Sequence, residues 1–264
     1  MPLTHLVIQS TLAPLYREPN PRSELVSQMV LGEIGVSTEE KGELIALRRE
    51  QDGYVAWTHR GYLEEVDREE WNRWRDRATG RADGAVLRLE DGRIIPLPLL
   101  ARVAPVGTRW GLPDGSQGTL VAGLINTNEM TVTQAGMVRA IDWAVHRFAG
   151  SPYFWGGLTA WGADCSGMVQ TTFAARGVKL PRDSADQARQ GGAVAETALQ
   201  PDDLLFFGEV PGRITHVALL GDNDTLVHST IACGGFVVES WREGSRAYQL
   251  RAQLQAIRRI ACNP

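Results

Sequence analysis

Between Tyr153 and Phe173 the chain reads YFWGGLTAWGADCSGMVQTTF, a stretch compatible with few folds because it delivers one cysteine to the first turn of a helix. Upstream, Pro152, three aromatic residues and the Gly156-Gly157 pair are too punctuated for regular structure and suit the wall of a cleft. Downstream, Met168, Val169, Thr172 and Phe173 recur at spacings of three and four, which predicts a helix that stops at Gly177. Asp164 is its expected N-cap. Cys165 then stands where the helix dipole and unpaired N–H groups favour the thiolate, the nucleophilic form. A free thiol with a pKa near ~8.5 is only a few per cent ionised at neutral pH, so a base is expected beside it. The alternative is a small buried hydrophobe. Against it, Asp-Cys-Ser-Gly is polar where a core position is apolar, and Gly167 admits close approach of another segment.

Two of the five histidines, His216 and His228, lie on an expected hairpin with the turn Gly221-Asp222-Asn223-Asp224. If the loop is odd in length and centred on Asp222, the two rings stand directly opposite each other on one face of the sheet. An even loop would put them on opposite faces. On a sheet facing the Cys165 helix they would complete a thiol, a base and a group to orient the base. The rival is zinc held by Cys165, His216, His228 and Cys233, but the close Cys or His pairs of structural zinc sites are absent. No metal and no cofactor are expected. His5, His59 and His146 have no partner pattern.

The rest of the chain is read from its punctuation. Short strands are expected in HLVIQS, ELVSQMVLGEIGVS, ELIALRRE and YVAW, separated by Pro14, Pro19, Pro21, Gly42 and Asp52-Gly53, which fits a small all-β barrel over 1–67. A charged connector with Trp71 and Trp74, read as a solvated helix, leads to a second barrel with turns at Asp91-Gly92 and Asp114-Gly115, ending near residue 127. The polar run 126–134 reads as a linker. From 128 to 264 the expected order is a helix ending at Gly150, the Cys165 helix and a short helix after Pro181 with Ser184 and Gln187 at capping-box spacing. An antiparallel sheet follows, an α+β layout. Its strands are 203–207, 214–220, 225–230, 236–240 and one near 256–261.

Composition excludes more than it selects. A formal net charge of −4 without a basic run gives no case for nucleic acid or an anionic membrane as partner. No stretch is long enough to span a bilayer, and three cysteines argue against a disulfide framework. The opening MPLTHLVIQS lacks a charged segment followed by an apolar one, so a cytoplasmic location is expected.

Taken in order, YFWGG, ADCSGMVQ, PRDSADQ, DLLFF, HVALLGD and LVHST resemble the catalytic domain of the NlpC/p60-type cysteine peptidases of bacterial cell-wall metabolism, which have a papain-like fold. The match covers about Val132 to Ile260. The preceding barrels are similar to the bacterial SH3-like domains of γ-D-glutamyl-L-diamino-acid endopeptidases of the dipeptidyl-peptidase VI type. The resemblance implies Cys165 as nucleophile, His216 as general base and His228 as orienting residue. It also implies Tyr153 as an oxyanion donor beside the Cys165 N–H, and Tyr153, Trp155, Asp164 and Ser166 as residues lining the cleft.

The implied substrate is a murein tri- or tetrapeptide with a free N-terminal L-Ala, cut after L-Ala-γ-D-Glu in the recycling of imported wall peptides. A buried ammonium demands acceptors. Asp164, with Glu33 and Tyr54 of the first barrel, is expected to supply them; Glu24 and Tyr62 are the alternatives to the barrel pair. A monomer is expected. Two other readings stay open: a wall-binding module without activity, and acyl or amide transfer on the same fold.

Overall fold

The computed structural model describes residues 4–261. The chain divides into two compact units, the first ending at Thr131 and the second beginning at Val132.

Seven short strands make the first sheet of the first unit: β1 (His5–Ile8), β2 (Leu12–Tyr16), β3 (Leu25–Val30), β4 (Ile34–Lys41), β5 (Leu44–Arg49), β6 (Val55–His59) and β7 (Leu63–Val66). Their order is β3-β2-β6-β5-β4-β1-β7. Period-two alternation buries Leu6, Ile8, Leu15, Met29, Ile45 and Leu47 in one core. β2 escapes a sequence reading because Pro14 lies within it. On its β6 side only Tyr16 pairs, with Trp57, so a missing N–H is tolerated there. The run ELVSQMVLGEIGVS is two strands, not one. It breaks at Gly32, whose φ of 77° and closeness to the Arg102 carbonyl leave no room for a Cβ.

Helix α1 (Arg68–Arg77) starts on Asp67, whose side chain accepts from the Glu70 N–H. It is less solvated than its charge suggests. Trp74 is buried with Val7, Ile34 and Ala104, and its indole N–H donates to the Gly32 carbonyl at 2.9 Å. Strands β8 (Gly80–Leu89), β9 (Ile94–Pro96), β10 (Arg102–Val106), β11 (Arg109–Gly111) and β12 (Gln117–Thr127) follow. Because β8 pairs with both β12 and β10, the strands β8, β12, β11 and β10 form a closed ring.

The expected linker over 126–134 is not a loop. β12 runs to Thr127, and helix α2 (Asn128–Gly136) begins at once, with the Thr127 hydroxyl accepting from the Met130 N–H at 3.2 Å. Polar residues that cap a helix look like a linker by composition alone.

The second unit is mixed. Helix α3 (Ala140–Phe148), the hairpin β13 (Leu158–Thr159) and β14 (Gly162–Ala163), helix α4 (Cys165–Ala174) and the short α5 (Ser184–Gln187) precede a six-stranded antiparallel sheet. That sheet contains β15 (Gly192–Ala193), β16 (Leu204–Phe207), β17 (His216–Leu220), β18 (Thr225–Thr230), β19 (Gly235–Ser240) and β20 (Leu254–Arg259), in the order β15-β20-β16-β17-β18-β19. Leu204, Leu205, Phe206 and Phe207 are all buried, so both faces of β16 are covered. Helix α4 packs on β17 and β18. The capping box expected at Ser184 does not form: Asp183 is the N-cap of α5, and its side chain does not bond to the helix start. Gln187 instead donates to the carbonyls of Ser166 and Pro181.

Candidate active site

Asp164 ends an extended segment and starts α4, its Oδ1 accepting from the Gly167 N–H at 2.7 Å. The same carboxylate accepts from Ser166 Oγ at 3.2 Å, from the Gly156 N–H at 2.8 Å, and from both Arg182 terminal nitrogens at 3.2 and 2.5 Å. Arg182 also donates to Ser166 Oγ at 2.8 Å. Both partners of this ion pair are buried, so the pair depends on those extra bonds to offset desolvation. Gly167 permits the close approach expected of it: a Cβ there would collide with the Gly157 carbonyl oxygen. The segment before the helix is thereby pinned to its first turn.

Cys165 follows, 7% exposed. The backbone N–H groups of Val217, the residue after His216, and of Ser166 lie near its sulfur. These contacts and Arg182 favour the thiolate, but burial, and after it the Asp164 charge, outweigh them and push the thiol up to about 12. The helix start favours the thiolate as expected, and burial of the sulfur opposes it.

The hairpin carrying the two histidines also differs in detail. Leu219 pairs with Val227 and Leu220 with Leu226, which centres the loop on Asn223 rather than Asp222. Parity is kept, so His216 and His228 share a face, but they are diagonal neighbours rather than directly opposed. The diagonal brings them into contact: His216 Nε2 lies 2.7 Å from His228 Nδ1. His228, fully buried, places its Nε2 2.8 Å from Glu239 Oε1 on β19. Arg246 closes the chain, pairing with both Glu239 oxygens, Nε to Oε2 at 3.0 Å. Burial first, then His228 and Arg246, lower the His216 pKa; burial also lowers that of His228, against the pull of Glu239. Burial thus disfavours the charged form of both rings and of the thiolate alike.

Among the other expected residues, Tyr153 is half-buried, and burial, then the neighbouring Cys165 and Asp164, raise its hydroxyl pKa, so it stays a donor. Ser166 is buried in the Asp164–Arg182 cluster, whereas Trp155 is 56% exposed. In the first unit, Glu33 is buried: Oε2 accepts from the Val30 N–H at 2.9 Å and Oε1 from Arg49 at 3.3 Å. Tyr54 and Tyr62 pack against the core of the first sheet, and Glu24 pairs with Arg17 on the surface. Sequence reasoning assigns no role at the site to Arg182, Gln187, Glu239 or Arg246, and reads Gln187 only as a capping residue. The first two stand in the PRDSADQ run and could have been found there; Glu239 and Arg246 carry no local signal. Among the described residues no cluster of three His, Cys, Asp or Glu is placed to hold a metal ion.

A buried thiol opening a helix, one peptide from a strand that begins a chain of imidazoles, defines a thiol hydrolase. Residues 150–254 match the NlpC/P60 family. A γ-D-glutamyl-L-lysine dipeptidyl-peptidase of Bacillus subtilis (strain 168) is 28% identical over 213 residues, 77% of this chain and 71% of that one. A probable endopeptidase of Haemophilus influenzae is 40% identical over 98 residues, 36% of this chain and 60% of the relative. The crystal structure of an NlpC/P60 family protein from Bacillus cereus ATCC 10987 shares the fold, with a TM-score of 0.75 at 19% identity over 97% of this chain and 99% of that one. The chain carries an NlpC/P60 domain and is a cysteine peptidase.

Proposed function

We propose that this protein hydrolyses the bond between γ-D-glutamate and an L-diamino acid, or meso-diaminopimelate, in short peptidoglycan peptides with a free N-terminal L-Ala, releasing L-Ala-D-Glu. The observation that carries the reading is a buried Cys165 opening a helix that packs on the strands of His216 and His228, whose rings are tied to each other and to a carboxylate. The substrate class is taken from the Bacillus subtilis relative, named as a γ-D-glutamyl-L-lysine dipeptidyl-peptidase.

In this mechanism Cys165 attacks the γ-carbonyl as its proton passes to His216. The oxyanion is held by the Cys165 N–H and the Tyr153 hydroxyl. As the C–N bond breaks, His216 returns the proton to the leaving amine. Water, deprotonated by His216, then hydrolyses the thioester and frees the dipeptide. His228 orients the base; Asp164 and Ser166 hold the helix start against Arg182, and Trp155 flanks the cleft. The fold assigned to this role is two SH3-like barrels over 1–67 and 68–127 followed by a papain-like domain from 128.

A free alanyl amine exists only once the stem peptide has left its sugar, which supports a role in recycling of released peptides. The test is mass spectrometry of digests of L-Ala-γ-D-Glu-L-Lys and its meso-diaminopimelate counterpart, each with free and acetylated amine. Cleavage at the γ-bond of the free peptides alone is expected. Equal cleavage of the acetylated forms would falsify the free-amine requirement, and cleavage at another bond the substrate class.

A further inference from the structure

The chain of side chains does not end at the second histidine. Continuing the β17–β18 register, His228 faces Ala218, and His216 lies two residues along; in the β18–β19 register His228 faces Val237, and Glu239 again lies two residues along. The contacts therefore run diagonally across three strands, His216 to His228 at 2.7 Å and His228 to Glu239 at 2.8 Å, and finish on Arg246. Glu239 is 14% exposed and its partner ring is fully buried, so solvent cannot easily substitute for either.

Hydrogen positions follow from chemistry. An ionised carboxylate has no proton to give, and Arg246, a donor only, bonds to both oxygens of this one. Nε2 of His228 must then carry the hydrogen. A neutral His228 offers a lone pair at Nδ1, so the 2.7 Å contact needs the hydrogen on Nε2 of His216. What remains is the lone pair on Nδ1 of His216.

We infer that Glu239, held by Arg246, is a positioning residue that places the hydrogen on Nε2 of both imidazoles and so leaves Nδ1 of His216 free to take the Cys165 proton. The inference rests on the roles given above to Cys165 and His216, but not on the identity of the peptide. The remaining titratable group beside this chain is Cys233, next to Arg246.

The test uses the full-length protein without substrate. Nitrogen-15 spectra of labelled histidine near neutral pH read the tautomer of each ring, and iodoacetamide alkylation followed by peptide mapping reads the Cys165 thiol apart from the other cysteines. In the wild type, Nε2–H and a bare Nδ1 are expected on His216. E239Q should mix or reverse the tautomers and slow Cys165 alkylation about 10-fold, whereas E239D, which keeps the carboxylate, should stay within about threefold of wild type. R246Q should move the imidazole titrations to higher pH, because the guanidinium charge holds them down. A hydrogen on Nδ1 of His216 in the wild type overturns the inference without any variant having to fold. So does E239Q with wild-type tautomers and alkylation rate. If tautomers and alkylation behave as expected while no γ-glutamyl peptide is cut, only the substrate assignment fails.

Discussion

Each unit of this molecule buries an arginine against a carboxylate, and the two pairs are built differently. In the first unit Glu33 accepts one bond on each oxygen, from Val30 and from Arg49 at 3.3 Å, and Arg49 has a further partner in Asp52 at 3.6 Å. In the second, Asp164 accepts five bonds, two of them from Arg182. A carboxylate offers about four acceptor positions. Asp164 is thus fully occupied by its own chain, while Glu33 keeps capacity for another donor. A buried ion pair can either seal a local structure or leave acceptors in reserve, and the number of bonds distinguishes the two.

The largest effect is expected from D164N. The amide nitrogen would face donors, and Arg182 would lose its counter-charge, so urea unfolding of the second unit should show a loss of about 3 to 5 kcal/mol, with peptide cleavage falling alongside. E33Q should cost less, about 1 to 2 kcal/mol, because Arg49 retains Asp52 and the amide oxygen can still serve Val30. A rise in KM for free-amine peptides at constant kcat in E33Q would mark Glu33 as a substrate residue, as the sequence resemblance implies; an unchanged KM would leave it structural. If E33Q proves as destabilising as D164N, the contrast between the two pairs breaks.

A smaller effect separates the units by pH. His216 resists protonation when folded but takes a proton near its ordinary pKa when unfolded, so the unfolded chain binds more protons as pH falls below about 6.5 and stability is lost there. H216Q removes this term. Its stability should fall less between pH 6.5 and 4 than that of the wild type, by about 1 kcal/mol, as read from unfolding curves at each pH. A steeper fall in H216Q would contradict the buried neutral ring. Smallest of all, E24Q breaks the surface pair with Arg17 and should change stability by less than about 0.5 kcal/mol, without altering KM. A KM effect here would shift the substrate role from Glu33 to Glu24.

The sequence revealed what local pattern encodes. The Asp164 cap, the helix from Cys165 and the strand 225–230 follow from spacing and turn chemistry over a few residues. Pro14 hid β2, because whether a strand tolerates proline depends on which neighbour pairs with it. Thr127 disguised α2 as a linker. At the site, His216 and His228 could be assigned to one face from loop parity, but their diagonal contact depends on a loop centre one residue further on. The depth of the Cys165 sulfur was invisible for a different reason: burial is a property of the packed molecule, and it opposes the dipole that sequence position supplies. Glu239 was missed because a strand partner two registers away leaves no motif.

The central claim, a Cys165 thiol acting as nucleophile on a γ-glutamyl bond, is tested most directly by incubating L-Ala-γ-D-Glu-L-Lys with the wild type and with C165A and weighing the products. The wild type should release L-Ala-D-Glu and lysine, and C165A should fall by about 1,000-fold or more. Equal release by both proteins would contradict the account.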